Sequence, residues 1–227
     1  MISQLLAQLS EIKQRQLVRL VGNRNELTHW LDEQLKHCQR KQMIWFGRLD
    51  PNDRVNENTD LKRRNNQSSN CYFDARLKQY QRHLGQESDI VIFDCYAGLN
   101  PDALGALSGT IKQGGICILL TPSDENWLTY QDPELQRICA EPYQISDAHN
   151  NYISRFIKLL SNRKSIFRLD IPMSDQSVYT TELVKLNQQL FTERDRAEPD
   201  RAEAAKQTQN VQTVSQADAV NKVSAFG

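Results

Sequence analysis

The sequence predicts an α/β fold, an open and mostly parallel sheet with helices on both faces. Three observations carry that prediction. Short apolar runs at 17–21, 43–47, 89–95 and 116–120 alternate with stretches of helical periodicity, the order expected of strand–helix–strand units. Residues 89–95, DIVIFDC, are apolar almost without alternation, as in a parallel strand covered on both sides. Between that strand and the next stands Asn100-Pro101, a helix cap followed by the one helical position where a missing N–H costs nothing.

Each element has its own justification. Ile2, Leu5, Leu6, Leu9 and Ile12 form one stripe of a first helix. The strand at 17–21 closes at Gly22-Asn23, and Asn25 is expected to cap a second helix with Leu27, Trp30, Leu31, Leu35 and Cys38 on its inner face. A second strand follows at 43–47. Residues 50–70 are rich in Asn and carry only Val55 and Leu61 as aliphatics, too little apolar surface to offset ordering, so an exposed loop is expected. Its Lys62-Arg63-Arg64 run is either a phosphate contact or solvated charge. Phe73, Leu77, Tyr80 and Leu84 suggest a helix over 72–84.

After the strand at 89–95, residues 96–99 are read as a turn. The helix that Asn100 opens directs Leu104, Leu107 and Ile111 to the sheet, and Gly114-Gly115 are expected to stop it before the strand at 116–120. Residues 122–149 read as irregular, with Trp127, Tyr130 and Pro133 suggesting a surface excursion that still packs. Ile153, Phe156, Ile157 and Leu160 follow the i, i+3, i+4, i+7 rule of an amphipathic helix. A last strand at 165–169 and a helix marked by Leu183, Leu186 and Leu190 complete a domain over 1–191. The arrangement expected is three-layered and Rossmann-like. Residues 192–210 then read as a charged linker, and 211–227 as the truncated start of a further domain.

Composition narrows the function only by exclusion. Lys plus Arg and Asp plus Glu each number 28, so the global positive charge common in nucleic-acid binders is missing. The five cysteines form no CxxC pair, which leaves no zinc-ribbon or thioredoxin-like signal. The first 20 residues lack a continuous apolar h-region and a small-residue cleavage site, and no apolar run approaches the ~20 residues needed to span a bilayer. No GxGxxG and no GxxxxGK[ST] occurs, so no strand-end turn carries a phosphate-binding fingerprint. Asp94 stands at a strand end, where such folds keep catalytic or metal-binding carboxylates; ordinary turn chemistry explains it too. His29, His37, His83 and His149 have no partners at metal-ligand spacing, and nothing near Cys95 in sequence would activate it.

The run 89–127 resembles the N-terminal domain of bacterial tRNA(Met) cytidine acetyltransferase. The resemblance rests on Phe93-Asp94 at a strand end, on Ala106-Leu107-Ser108-Gly109-Thr110-Ile111-Lys112, on Leu119-Leu120-Thr121-Pro122, and on Trp127 shortly after. In order of elements it extends over about residues 1–190. It implies an accessory domain of an enzyme that uses acetyl-CoA and ATP to make N4-acetylcytidine at the wobble position of elongator tRNA(Met). The implied partners are that tRNA and the remaining domains of the enzyme, and the implied location is cytoplasmic. Catalysis in the family belongs to its ATPase/helicase and acetyltransferase domains, so this chain is expected to be non-catalytic and to hold no cofactor or metal itself.

One position is carried over. Residues 213–220, TVSQADAV, resemble the segment approaching the family's ATPase, with Gln216 at a glutamine that contacts ATP. An amide offers a donor and an acceptor to the adenine edge; a polar helix-start residue is the other reading of Gln216. Two further readings of the whole chain remain: a free-standing α/β domain that binds a nucleotide or small molecule, and a small methyltransferase-like or hydrolase-like enzyme built around Asp94.

Overall fold

The computed structural model describes residues 1–38, 41–47, 71–75, 77–135, 139–145, 151–163 and 165–171, with only the backbone described at 71–75 and 77–79. The expected loop at 50–70, the helix around Leu183–Leu190, the linker at 192–210, residues 211–227 and Gln216 all lie outside them.

Among the described residues there are six strands: β1 (Gln16–Gly22), β2 (Gln42–Phe46), β3 (Cys71–Ala75), β4 (Ser88–Asp94), β5 (Ile111–Thr121) and β6 (Ile166–Ile171). They form one sheet in the order β3-β2-β4-β5-β1-β6, and every neighbouring pair is parallel. The α-helices among the described residues include α1 (Ile2–Ile12), α2 (Arg24–Leu35), α3 (Pro101–Ser108), α4 (Asp124–Thr129) and α5 (Asn151–Asn162). The expected open parallel sheet, covered on both faces, is the fold found.

Strand alternation sorts the core into two layers. On one face Val91, Phe93, Cys117 and Leu119 pack with Ala103 and Leu107 of α3, Trp127 of α4, and Ile153, Ile157 and Leu160 of α5. The intervening strand residues, among them Val18, Leu20, Trp45, Ile92 and Ile118, are equally buried and point to the other face. There α1 and α2 bury Leu5, Leu9, Leu27 and Leu31. The centre of β4 is buried along its whole length, as its unalternating sequence requires.

Four local expectations are corrected. Residues 122–149 are not irregular throughout, because Ser123 accepts the Asn126 N–H and so caps the helix α4. Asn23, not Asn25, caps α2: its side chain accepts the Asn25 N–H at 3.0 Å. Residues 72–84 are not one helix, because Cys71–Ala75 adds a parallel edge strand to β2 and a 3-10 turn follows over Leu77–His83. Cross-strand pairing decides there, and local spacing cannot reveal it. Gly114-Gly115 do not end a helix; α3 stops at Ser108, and both glycines lie within β5. The register slips between Ser88 and Ile90, opposite Ile111 and Ile116, so residues 112–115 bulge. Gly114 has φ +80°, and a Cβ there would lie 2.8 Å from Ser10 Cα. The bulge lets its N–H reach Gln14 O at 3.1 Å, tying β5 to the end of α1.

Candidate functional site

A parallel sheet gathers the carboxyl ends of its strands on one rim, the usual ligand site of such folds. Asp94 ends β4 there and is fully buried. Its Oδ2 accepts from Arg24 Nε at 2.8 Å, and its Oδ1 from the Tyr96 N–H at 3.0 Å. Arg24 opens α2 and also donates to Gly47 O, just past β2, at 2.8 Å. The Tyr96 hydroxyl donates to Gly22 O at the end of β1, and the Tyr130 hydroxyl to Tyr96 O at 2.6 Å. Burial pushes the Asp94 carboxyl above its ordinary range, opposed by Arg24 and the Tyr96 N–H.

These contacts consume the groups a ligand would need. The glycines at the strand ends are filled by the chain itself. A Cβ on Gly22 would lie 2.1 Å from Ile171 O, one on Gly47 2.7 Å from Ala97 Cβ, and one on Gly98 2.8 Å from Glu134 Cγ. Asp132, buried, accepts from the Leu99 N–H at 3.0 Å and the Glu134 N–H at 2.8 Å, closing the loop beside Gly98. A phosphate cradle needs free backbone N–H groups around an open turn; here the Tyr96, Leu99 and Glu134 N–H groups are already taken by Asp94 and Asp132. Asp94 is a clasp joining β1, β2 and β4, and the reading of it as turn chemistry is the one the geometry supports.

The other candidates are also built in. His83 is buried and meets Phe46 edge-on at 5.3 Å, and burial lowers its pKa. Burial raises the Cys38 thiol to about 11 and Cys117 to about 12, and pushes Cys95 well above its ordinary value. None of the three is a thiolate near neutrality. His29 and His37 lie exposed on and just after α2, and His149 lies outside the described residues. No group of three or more His, Cys, Asp or Glu could hold a metal among the described residues.

One polar centre escaped the sequence reading. Arg19 lies in the middle of β1, inside an otherwise apolar run, and is 1% exposed. Its Nε donates to Thr121 Oγ1 at 2.9 Å, its Nη2 to Asp124 Oδ1 at 2.5 Å, and its guanidinium lies 5.3 Å from the Trp127 ring centroid. Arg168 on β6 donates to Asp124 Oδ2 at 3.0 Å and to both oxygens of Asp170. Desolvation works against the Asp124 charge, but Arg19 and Arg168 together hold its pKa below the usual value. The signal was a lone Arg at an inward strand position; its meaning depended on an acid more than a hundred residues away.

With the geometry in view, comparison with known proteins is decisive. The family model described as tRNA(Met) cytidine acetyltransferase TmcA, N-terminal, matches residues 1–171. The chain belongs to that family. Relatives named tRNA(Met) cytidine acetyltransferase TmcA include one from Nitrosococcus halophilus, 35% identical over 89 residues, which are 39% of this chain and 12% of the relative. Another, from Idiomarina loihiensis, is 28% identical over 120 residues, 49% of this chain and 19% of the relative. A third, from Pectobacterium atrosepticum, is 34% identical over 77 residues, 34% of this chain and 11% of the relative. The similarity to these relatives thus spans less than a fifth of their length. The described fold is that of the TmcA N-terminal domain, and the strands, helices and clasp above are its construction.

Proposed function

We propose that this chain is the N-terminal accessory part of an enzyme that acetylates N4 of the wobble cytidine of elongator tRNA(Met), using acetyl-CoA and ATP, and that residues 1–171 serve assembly or tRNA docking rather than chemistry. The family match over residues 1–171 carries this reading. The clasped strand ends support the non-catalytic part, since Arg24, Asp94 and Tyr96 spend their polar groups on the chain itself. The same closure weighs against a free-standing nucleotide-binding domain and against a hydrolase centred on Asp94. Gln216 is proposed to contact ATP once the ATPase module is joined to it. A cytoplasmic location is part of the proposal; among the described residues no helix is long and apolar enough to cross a membrane.

The test is acetylation by the complete gene product. Incubated with acetyl-CoA, ATP and unmodified elongator tRNA(Met), it is expected to yield N4-acetylcytidine, detected by mass spectrometry of the digested RNA. The 227-residue chain alone is expected to yield none and to hydrolyse no ATP. A complete protein that leaves the cytidine unmodified would overturn the assigned reaction. Turnover by the isolated chain would overturn its accessory role.

A further inference from the structure

The pairing of the positive charges singles out one surface. Arg19, Arg24, Lys36, Lys41, Lys112 and Arg168 are each held by an acid of this chain. The side chains of Lys13, Arg15, Arg155, Lys158 and Arg163 have no such partner among the described residues, and all five are exposed. These five are not scattered. Lys13 and Arg15 occupy the turn from α1 into β1, and Arg155, Lys158 and Arg163 lie along α5 and just past its end.

The sheet brings the two groups together. Leu17 is in register with Ile166, and Gln16 Nε2 donates to Ser165 O at 2.6 Å, so Arg15 and Arg163 flank the same edge of the β1–β6 pair. Arg15 and Phe156 line one groove of about 500 Å³ between α3 and α5. On α5 the spacing of Arg155, Leu159 and Arg163 is i, i+4, i+8, a single stripe, with Tyr152 one turn before it. The α5 sequence contains no acid at all. Asp102, at the start of α3, is the acid close enough to affect Tyr152.

An aromatic platform stands in the same place. Tyr152 is 45% exposed and stacks on Phe156 with ring centroids 6.0 Å apart and planes 11° from parallel. Exposed cations beside an exposed ring are the two components of single-stranded RNA recognition, charge for phosphates and a flat face for a base. A basic amphipathic helix can also lie on a membrane. That needs a free apolar face, and Ile153, Ile157 and Leu160 are already committed to the core.

We propose that the outer face of α5, together with the α1–β1 turn, is an RNA-binding surface on which Arg15, Arg155, Lys158 and Arg163 contact phosphates and Tyr152 stacks on an unpaired base. The proposal rests on the reading of the chain as part of a tRNA-modifying enzyme. It names the surface by which this domain holds the RNA.

The experiment is fluorescence anisotropy of the 227-residue chain with a labelled RNA stem-loop, alongside the triple variant R155E/K158E/R163E, the variant Y152A, and K36E as a control just past the end of α2. Binding is expected to weaken about tenfold or more in the triple variant and about fivefold or more in Y152A, and to stay unchanged in K36E. Removing three phosphate contacts should lower the slope of log affinity against log salt by about 2. Thermal melts verify folding, and R155Q/K158Q/R163Q replaces the triple variant if charge reversal unfolds it. Equal affinity of the α5 variants and the parent would overturn the proposal, as would no RNA binding by the parent chain, or equal competition by polyglutamate, which would assign the face to an acidic protein. The same substitutions in the complete enzyme separate this proposal from the reading beneath it. Acetylation with an unchanged KM for tRNA would refute the surface and leave the enzyme assignment standing, whereas a complete protein without acetylation refutes the assignment itself.

Discussion

Removing Asp124 should damage the fold more than removing Arg19, although they are two halves of one ion pair. Arg19 is almost wholly buried, with its side chain 2% exposed against 32% for Asp124. In Asp124→Ala the guanidinium keeps Thr121 Oγ1 and Pro122 O as acceptors but has no anion. Breaking a buried pair in this way costs about 3–5 kcal/mol, and the partial exposure of Asp124 favours the lower end. In Arg19→Met the carboxylate retains Arg168 at 3.0 Å and access to water, while the thioether fills much of the vacated volume beside Trp127. That change should cost about 1–2 kcal/mol, the scale of a few lost hydrogen bonds. The double variant R19M/D124A should therefore be more stable than D124A alone. For a domain of this size the D124A loss corresponds to a fall in Tm of roughly 6–20 °C. Urea unfolding followed by tryptophan fluorescence measures all four proteins, with a common m-value as the condition for comparing them. If R19M is as costly as D124A, or the double variant shows no recovery, the buried cation is not what Asp124 is there to satisfy.

Other outcomes follow from the same structure. Asp89 is held by Lys112 at 2.6 Å, Lys41 at 3.3 Å and the Gln42 N–H at 2.8 Å, and these outweigh burial to lower its pKa. Its stabilisation is therefore full above the unfolded carboxylate value of about 4 and is lost as pH falls through the lower folded value; Asp89→Asn should flatten the acid limb of a stability–pH curve. Iodoacetamide at mildly alkaline pH should label Cys139, which is partly exposed, well before buried Cys38, Cys95 and Cys117, as read by peptide mass mapping. Gly47→Ala forces a Cβ to 2.7 Å from Ala97 Cβ at φ +85°, and should cost about 1–3 kcal/mol in the same urea titration. In the complete enzyme, Gln216→Ala should weaken ATP binding by about 1–3 kcal/mol and leave acetyl-CoA affinity unchanged, as nucleotide and acetyl-CoA titrations would show.

How much of this was legible in sequence depended on whether the deciding interaction was local. The α5 periodicity of Ile153, Phe156, Ile157 and Leu160 survives intact because one buried face selects those positions. The Asn100-Pro101 start of α3 survives because Asn100 Oδ1 accepts the Ala103 N–H only three residues on. The edge strand β3 was lost because Phe73, Leu77, Tyr80 and Leu84 imitate helical spacing, and only pairing with β2 makes residues 71–75 a strand. Gly114-Gly115 misled because glycines inside a β-pattern mark a bulge or a close backbone approach as often as a stop. The bulge serves α1, which is distant in sequence. Arg19 and the unpaired cations of α5 were invisible for the same reason: charge composition says how many there are, and only the fold says which have partners.

The pairing of those charges also bears on where the domain can act. An α/β sheet normally offers its ligand site at the strand ends, where helix N-termini and glycine turns leave N–H groups free. Here Arg24 bridges β4 to β2, Tyr96 reaches back to β1, and the strand-end glycines are packed against neighbouring chain. Among the described residues, that rim supplies rigidity to the strands, and its contacts hold Arg24, Asp94 and Tyr96 to the chain itself. Exposed cations without an acid partner among the described residues lie on the outer side of α5 and in the turn into β1, beside the half-exposed ring of Tyr152. Exposed cations beside a flat aromatic face suit a polyanion with unpaired bases better than a small anion, which needs donors converging on one point.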